Sequence, residues 1–384
     1  MHSPTDNEAF WRSSDFHIAF DPHQPDHAAG LAEFAGSRDD LRSLLFFQTS
    51  GSEGSPKWVG LGREAFLASA RAVNAHLEAT SRDRWLIALP LHHVGGFSIF
   101  ARSFESGASL VEWRQKWDAT RFAERCAEEK ITLTSLVPAQ VFDLVQAKLG
   151  APPSLRAMVV GGGSLEQDLG ACAHALGWRL LQSYGMTETA SQIATEPLDH
   201  LYQGFDADRL EVLAGFDLDL DADGRLTVRG EALASGYAIK RNAAWHWDAM
   251  DRKLGLVTRD RVELWSHGAR QFLRFIGRDA DFVKVLGELV NIPALQKRLD
   301  RLAEELIPAA PNPVLVWPVP DERRGTALVL AGEASAEILE QLREQFNFGV
   351  QGFERLLRSR RIHPLPRTAL GKIDRPALNE ILGR

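Results

Sequence analysis

The sequence holds 384 residues with a net charge of −7 and a pI near 6.0, an acidic balance that argues against a dedicated nucleic-acid binder. Hydrophobic residues make up 45% and charged residues 25%, ordinary for a soluble globular chain large enough for more than one domain. No apolar run reaches membrane-span length, and the opening MHSPTDNEAFWRSSDF lacks a signal-peptide layout, so a cytoplasmic protein is expected. Cys126 and Cys172 stand alone in helical stretches without metal-ligand spacing and read as buried reduced thiols.

In chain order, the apolar run Leu44–Phe47 runs into TSGSEGSPK (49–57), where four hydroxyl side chains, two glycines and Lys57 stand at a strand end. From Trp85 the pattern becomes regular. WLIALP (85–90) predicts a strand and GGFSIFARSF (95–104) a helix, followed by SLVEW (109–113) and ATRFAERCAEEK (119–130) as the next pair. ITLTSLVP (131–138) with AQVFDLVQAKL (139–149), and LRAMVVGGG (155–163) with LEQDLGACAHALG (165–177), repeat the alternation before RLLQSYG (179–185). Strands alternating with helices imply an α/β layout with mostly parallel sheets flanked by helices, and ligands gather at the carboxyl ends of such strands.

After about residue 205 the runs RLEVLAG, GRLTVRGEALASGY and VELWSHGARQFLRFIGR are short, β-like and broken by Gly and Asp, which predicts a β-rich subdomain. Beyond GRDADFVKVLGELVN (277–291), two amphipathic helical stretches (292–306 and 335–346) and a strand pair predict a small α+β domain. The division expected is 1–278 and 279–384.

Three stretches carry candidate chemistry. A Gly/Ser/Thr-rich turn after a strand can aim backbone N–H groups and hydroxyls at an anion, with a lysine adding charge, which suits polyphosphate. TSGSEGSPK is not a Walker loop, because Gly51 and Gly54 are too close and Pro56 precedes Lys57. A flexible surface turn fits these residues equally well. QSYGMTETASQ (182–192) puts Tyr184, Thr187 and Glu188 straight after a strand, where they could cover a nucleobase, bond a phosphoryl oxygen and hold Mg²⁺. PRTALGKIDR (366–375) sets Lys372 after a glycine in a loop, where a solvated lysine is the ordinary reading.

Together and in this order, TSGSEGSPK, LPLHHVGG, VVGGGSL, SYGMTETASQ, VTRD, FIGRDADFVKVLGE and PRTALGKIDR resemble the adenylate-forming superfamily of acyl- and aryl-CoA ligases, adenylation domains and luciferases. The matching pieces span residues 46 to 376. Within it, PLHHVGGFSIFAR, SLVPAQVFDLV and YGMTETASQ look most like the o-succinylbenzoate–CoA ligases of menaquinone biosynthesis. The resemblance implies an enzyme that uses ATP, Mg²⁺ and coenzyme A. A carboxylate attacks the α-phosphorus of ATP to give acyl-AMP and pyrophosphate, and the CoA thiol then displaces AMP.

Carried over by motif, Thr49, Ser50, Gly51, Ser52, Gly54 and Lys57 resemble the pyrophosphate-side contacts of ATP. Gly161, Gly162, Gly163 and Tyr184 resemble the adenine shelf, Thr187 the α-phosphate ligand and Glu188 the Mg²⁺ ligand. Asp260 and Arg278 look like the ribose contacts, and Lys372 like the catalytic cation between carboxylate and α-phosphate, delivered by a mobile C-terminal domain. His93, Arg102 and Gly185 fall on the acyl side, and Lys284 and Gly287 on the CoA side. Arg102 would pair with the carboxylate of a dicarboxylic acid that is not activated, against the plain reading of a solvated helix charge, while His92 reads as structural.

Departures from the family pattern bear on three points. Arg259 replaces the glycine of a Thr-Gly-Asp motif, so the backbone there is expected to differ, and Glu53 brings a negative charge into the phosphate loop. Ala280 stands at the domain hinge, and Glu288–Asn291 replaces the loop expected on the CoA side, which weakens the implication of thioester formation. The phosphate-loop motif begins at Thr49, far earlier than in relatives, so a trimmed sheet edge or a homodimer covering it is expected. Two other readings stay open: adenylation with transfer to a carrier protein, and a nucleotide-binding homologue that does not catalyse.

Overall fold

A computed structural model describes residues 8–22, 25–49, 57–242, 244–306, 313–321, 323–367 and 373–382. The chain divides into two compact units, one of residues 1–258 and 262–275, the other of 259–261 and 276–384.

The first unit carries the strand-helix alternation expected from the sequence. Strands Arg84–Ile87, Ser109–Glu112, Leu133–Leu136, Ala157–Val160 and Leu180–Gly185 run parallel, joined through helices Val94–Ser106, Ala119–Glu128, Pro138–Gln146 and Gln167–Ala175. Alternate residues feed opposite cores: Trp85 and Ile87 belong to one apolar cluster, Leu86 to the other. A parallel sheet covered on both faces has this signature, which explains the continuous apolar runs. Strand Gln192–Thr195 returns antiparallel beside Leu180–Gly185 and leads into the β-rich part of the same eleven-stranded sheet.

A second sheet orders strands His17–Ala19, Leu44–Thr49, Lys57–Gly62, Gly236–Arg241 and Ala244–Ala249. Leu45 and Phe47 join the cluster shared with helices Arg63–Leu77 and Val94–Ser106, while Leu44 and Phe46 fill a separate one, so this strand too is buried on both faces. Thr49 pairs with Lys57 across the two strands, and residues 50–56 lie outside the described set.

The edge expected to be bare or covered by another subunit is occupied by the chain's own beginning. His17–Ala19 pairs in parallel with Leu45–Phe47, and Phe10 and Trp11 are buried against Phe97, with ring centroids 6.1 and 6.2 Å from it. Arg63 ties the segment down: its guanidinium donates to the carbonyls of Phe10 (2.6 Å), Ser43 (2.8 Å) and Asp15 (2.6 Å). His17–Ala19 is then itself the edge strand of this sheet. The cysteine expectation is also half corrected. Cys126 is buried, but Cys172 on Gln167–Ala175 is exposed, because its helical position turns away from the core that takes Ala173.

In the second unit, strands Phe282–Val285 and Glu288–Asn291 form a two-stranded hairpin. Helices Ile292–Leu306 and Ala336–Phe348 share an apolar core with the three-stranded sheet Val314–Asp321, Gly325–Gly332 and Leu356–Arg361.

Candidate active site

Most of the candidate residues of the first unit stand at the carboxyl ends of its parallel strands. The three-glycine turn follows Ala157–Val160, and Gly162 has φ +76°, a left-handed conformation in which a side chain would be strained. Next to it, Tyr184 and Gly185 end strand Leu180–Gly185, and a short 3₁₀ turn, Thr187–Thr189, presents Thr187 and Glu188. Gly185 is fixed by close approach. A Cβ there would lie 2.3 Å from the Ser191 carbonyl oxygen and 2.4 Å from Gln192 Cα, so the motif folds back on itself only with glycine.

Glu188 is held from two sides by one short segment. The Ala234 N–H donates to its carbonyl oxygen (2.8 Å), and the Tyr237 hydroxyl donates to Oε1 (3.3 Å). The segment also belongs to the strand system that includes Lys57–Gly62: Ser235 N–H donates to Gly60 O, and Ile239 pairs with Lys57. Burial and the adjacent Glu188 push the Tyr237 phenol well above its ordinary range, so it remains a donor at working pH. Tyr237 escaped the sequence reading, although the GY that ends GEALASGY stood in view. Among the described residues no group of three or more His, Cys, Asp or Glu side chains could hold a metal unaided. A lone carboxylate such as Glu188 fits a magnesium ion that keeps phosphate oxygens and waters as its other ligands.

Tyr184 stacks on Phe275 with ring centroids 5.6 Å apart, a brace that the sequence reading also missed. His93, expected on the acyl side, is exposed at the start of helix Val94–Ser106, its ring 4.4 Å from that of half-buried His92.

Arg102 is not a solvated helix charge: it is 1% exposed. One Nη donates to Ser191 Oγ (2.8 Å) and Gln192 Oε1 (3.1 Å), and the guanidinium lies 5.4 Å from the Trp85 ring centroid. No carboxylate pairs with it among the described residues, and its Nε finds no acceptor there. Burial lowers its pKa to about 9, which still leaves it charged at neutral pH. A buried cation satisfied only by neutral groups is costly unless an anion joins it.

The second unit holds Asp260 and Arg278 together, with Arg278 Nε donating to Asp260 Oδ1 at 3.2 Å. Asp260 is buried. Arg259, where a glycine was expected, lies within strand Leu256–His267 and needs no left-handed backbone, so the substitution is conformationally neutral. Lys284 is exposed on the hairpin whose two-residue turn, Leu286 (φ +55°) and Gly287 (φ +88°), has the positive angles of a tight β-turn. Ser50, Gly51, Ser52, Gly54 and Lys372 lie outside the described residues.

A model of the AMP-binding enzyme family matches residues 12–238. Among relatives, 2-succinylbenzoate–CoA ligase of Bacillus velezensis is 29% identical over 369 residues, covering 89% of this chain and 69% of its own. The Enterococcus faecalis protein of the same name is 27% identical over 360 residues, covering 90% and 71%. Among solved structures, wild-type E. coli MenE with a phenylether-linked analogue of OSB-AMS superimposes with a TM-score of 0.64 at 26% identity, covering 88% of this chain and 69% of that one. Bacillus subtilis o-succinylbenzoate coenzyme A synthetase with ATP and magnesium gives 0.67 at 25%, covering 87% and 69%. With more than half of its length matched by the family model, the chain belongs to the AMP-binding enzymes.

Proposed function

We propose that the protein is an ATP-dependent carboxylic acid–CoA ligase whose acid is o-succinylbenzoate, acting in menaquinone biosynthesis. The observation that carries the choice of acid is Arg102, a buried cation without a carboxylate partner among the described residues, bonded to Ser191 and Gln192 just past the SYGMTE motif. A dicarboxylic substrate can present one carboxylate for activation and leave the other for this guanidinium. The names of the relatives support the same acid.

In the first step a carboxylate oxygen attacks the α-phosphorus of ATP, the bond to the bridging oxygen breaks and pyrophosphate leaves. Two anions must approach, so the barrier is largely electrostatic, and positioning together with fixed positive charge lowers it. Magnesium held with ATP at Glu188 would supply part of that charge. Thr49, Lys57 and the intervening turn are assigned to the β- and γ-phosphates, and Thr187 to the α-phosphate. Tyr184 with Gly161–Gly163 is assigned to the adenine, and Asp260 with Arg278 to the ribose. In the second step the CoA sulfur attacks the acyl carbon, its proton passes to solvent and AMP departs. Lys372 as the cation on the attacking carboxylate, and a moving C-terminal domain from residue 279, rest on the motif PRTALGKIDR alone. Lys284 and Gly287 are assigned to the CoA side on the same kind of ground. ATP and CoA as substrates favour the cytoplasm as the place of action.

The test is AMP release that depends on ATP, CoA and acid, across a panel of carboxylic acids. We expect o-succinylbenzoate to be preferred, and Arg102→Ala to raise its KM far more than that of ATP. Product formed only on a carrier protein would shift the reading to a carrier-dependent adenylating enzyme. ATP binding with no acid-dependent ATP–pyrophosphate exchange would leave a nucleotide-binding homologue.

A further inference from the structure

The glycine turn assigned to the adenine has little of its own to hold it. Three consecutive glycines have the widest backbone freedom of any tripeptide, so fixing them in one conformation needs outside support. The Gly161 N–H is held by Leu136 O (3.1 Å), and most of the remaining support comes from one side chain the family resemblance did not single out. Gln182 is 4% exposed, and its amide sits inside the turn. The two hydrogens of its Nε2 are shared among three carbonyl oxygens: Val160 O at the entry (3.3 Å), Gly163 O at the exit (3.1 Å) and Ser183 O (2.8 Å). Its Oε1 accepts from Leu165 N–H (2.8 Å), just past the glycines. The adjacent Ser183 hydroxyl adds a bond to Val160 O (2.9 Å).

The strand carrying Gln182 is pinned in turn. Glu196 is wholly buried, and its carboxylate accepts from the Gln182 N–H (2.6 Å), from the Asp206 N–H (2.7 Å) and from His200 (3.0 Å). Every polar atom of the Gln182 amide is therefore spent on the protein itself, leaving it suited to shape the shelf and not to touch a ligand.

We propose that Gln182 is a positioning residue for the nucleobase: its buried amide sets the turn Gly161–Gly163 against Tyr184, two residues along its own strand, and so fixes the slot in which the base edge is read. The proposal rests on the adenylate-forming reading. Base recognition by backbone groups needs placement within about half an ångström. A relaxed turn would therefore lose the preference for adenine over other purines, while the phosphate-side contacts on the Thr49–Lys57 hairpin would be untouched.

The experiment compares wild type with Gln182→Leu, similar in bulk but without the amide, by calorimetric titration with ATP, GTP and inorganic pyrophosphate. Gln182→Leu is expected to raise the Kd for ATP about tenfold, the size of one lost hydrogen-bonding contact, and to shrink the ATP:GTP preference by a similar factor. Affinity for pyrophosphate should stay within about twofold of wild type, which a general loss of structure would not allow. An unchanged ATP:GTP ratio, or ATP and pyrophosphate falling together, overturns the proposal. If Gln182→Leu does not fold, Gln182→Glu carries the test, since it keeps the acceptor for Leu165 and loses the donors; an unchanged ratio there is equally fatal. Wild-type protein that binds no adenine nucleotide would defeat the ligase reading itself, an outcome separate from a wild type that binds ATP and a variant that keeps its preference.

Discussion

The hydroxyl of Tyr237 donates to Glu188 Oε1 across 3.3 Å, linking the strand paired with Lys57–Gly62 to the carboxylate assigned to magnesium. Tyr237→Phe removes this donor and keeps the ring. We expect the magnesium concentration for half-maximal ATP–pyrophosphate exchange to rise about three- to tenfold, the scale of one hydrogen bond to a charged group, with KM for the acid unchanged. A magnesium titration of the exchange rate checks this. Equal shifts in both parameters would contradict the orienting role.

Glu196 titrates near neutrality. Burial raises its pKa from 4.5 to about 7, against the hydrogen bonds from Gln182, Asp206 and His200 that favour the anion. Because the folded value lies above the unfolded one, the native state binds more protons between them. The stability this group contributes is complete below about pH 4.5 and is lost as pH rises through about 7. Thermal melting of wild type and Glu196→Gln between pH 5 and 8 should show a steeper decline with pH in wild type, equivalent to about 2 kcal/mol over the range. Parallel curves would show that the proton is held elsewhere.

Gly185→Ala places a methyl group 2.3 Å from the Ser191 carbonyl oxygen. Backbone on both sides must move, and urea denaturation should register a loss of about 3 kcal/mol. The displaced loop carries Thr187 and Glu188, so exchange activity should fall further than stability alone would require. A variant with wild-type stability would mean that the fold-back of the motif is looser than its geometry indicates.

The two thiols should separate cleanly. Cys172 is exposed, whereas Cys126 is buried with its pKa pushed up to about 12. In native protein a maleimide should modify Cys172 within minutes and leave Cys126 intact until denaturant is added, as intact mass and peptide mapping would show.

The α/β alternation from Trp85 to Gly185 was legible because each strand is buried on both faces and each helix shows its apolar stripe, so local pattern and final environment agree. The glycine turn, Tyr184, Thr187 and Glu188 were legible because they sit together in chain order at strand ends. What escaped was non-local. Tyr237 lies 49 residues from the carboxylate it holds, and no periodicity in GEALASGY announces that partner. Arg102 was singled out only through the family resemblance, since an arginine on an amphipathic helix ordinarily faces water and nothing local announces its burial. Gln182 stood inside a quoted motif without being singled out, because its partners Val160, Gly163 and Leu165 come from the preceding strand and turn.

Phe10 and Trp11 belong to the same ring assembly as Phe47 and Phe97, with Phe47 and Phe97 centred 5.1 Å apart beneath strand Leu44–Thr49. The segment around Phe10 and Trp11 is thus a structural pillar. An expression plasmid that starts a dozen residues downstream would withdraw two aromatic supports from under that strand, and poor yield would report the damage before any assay could.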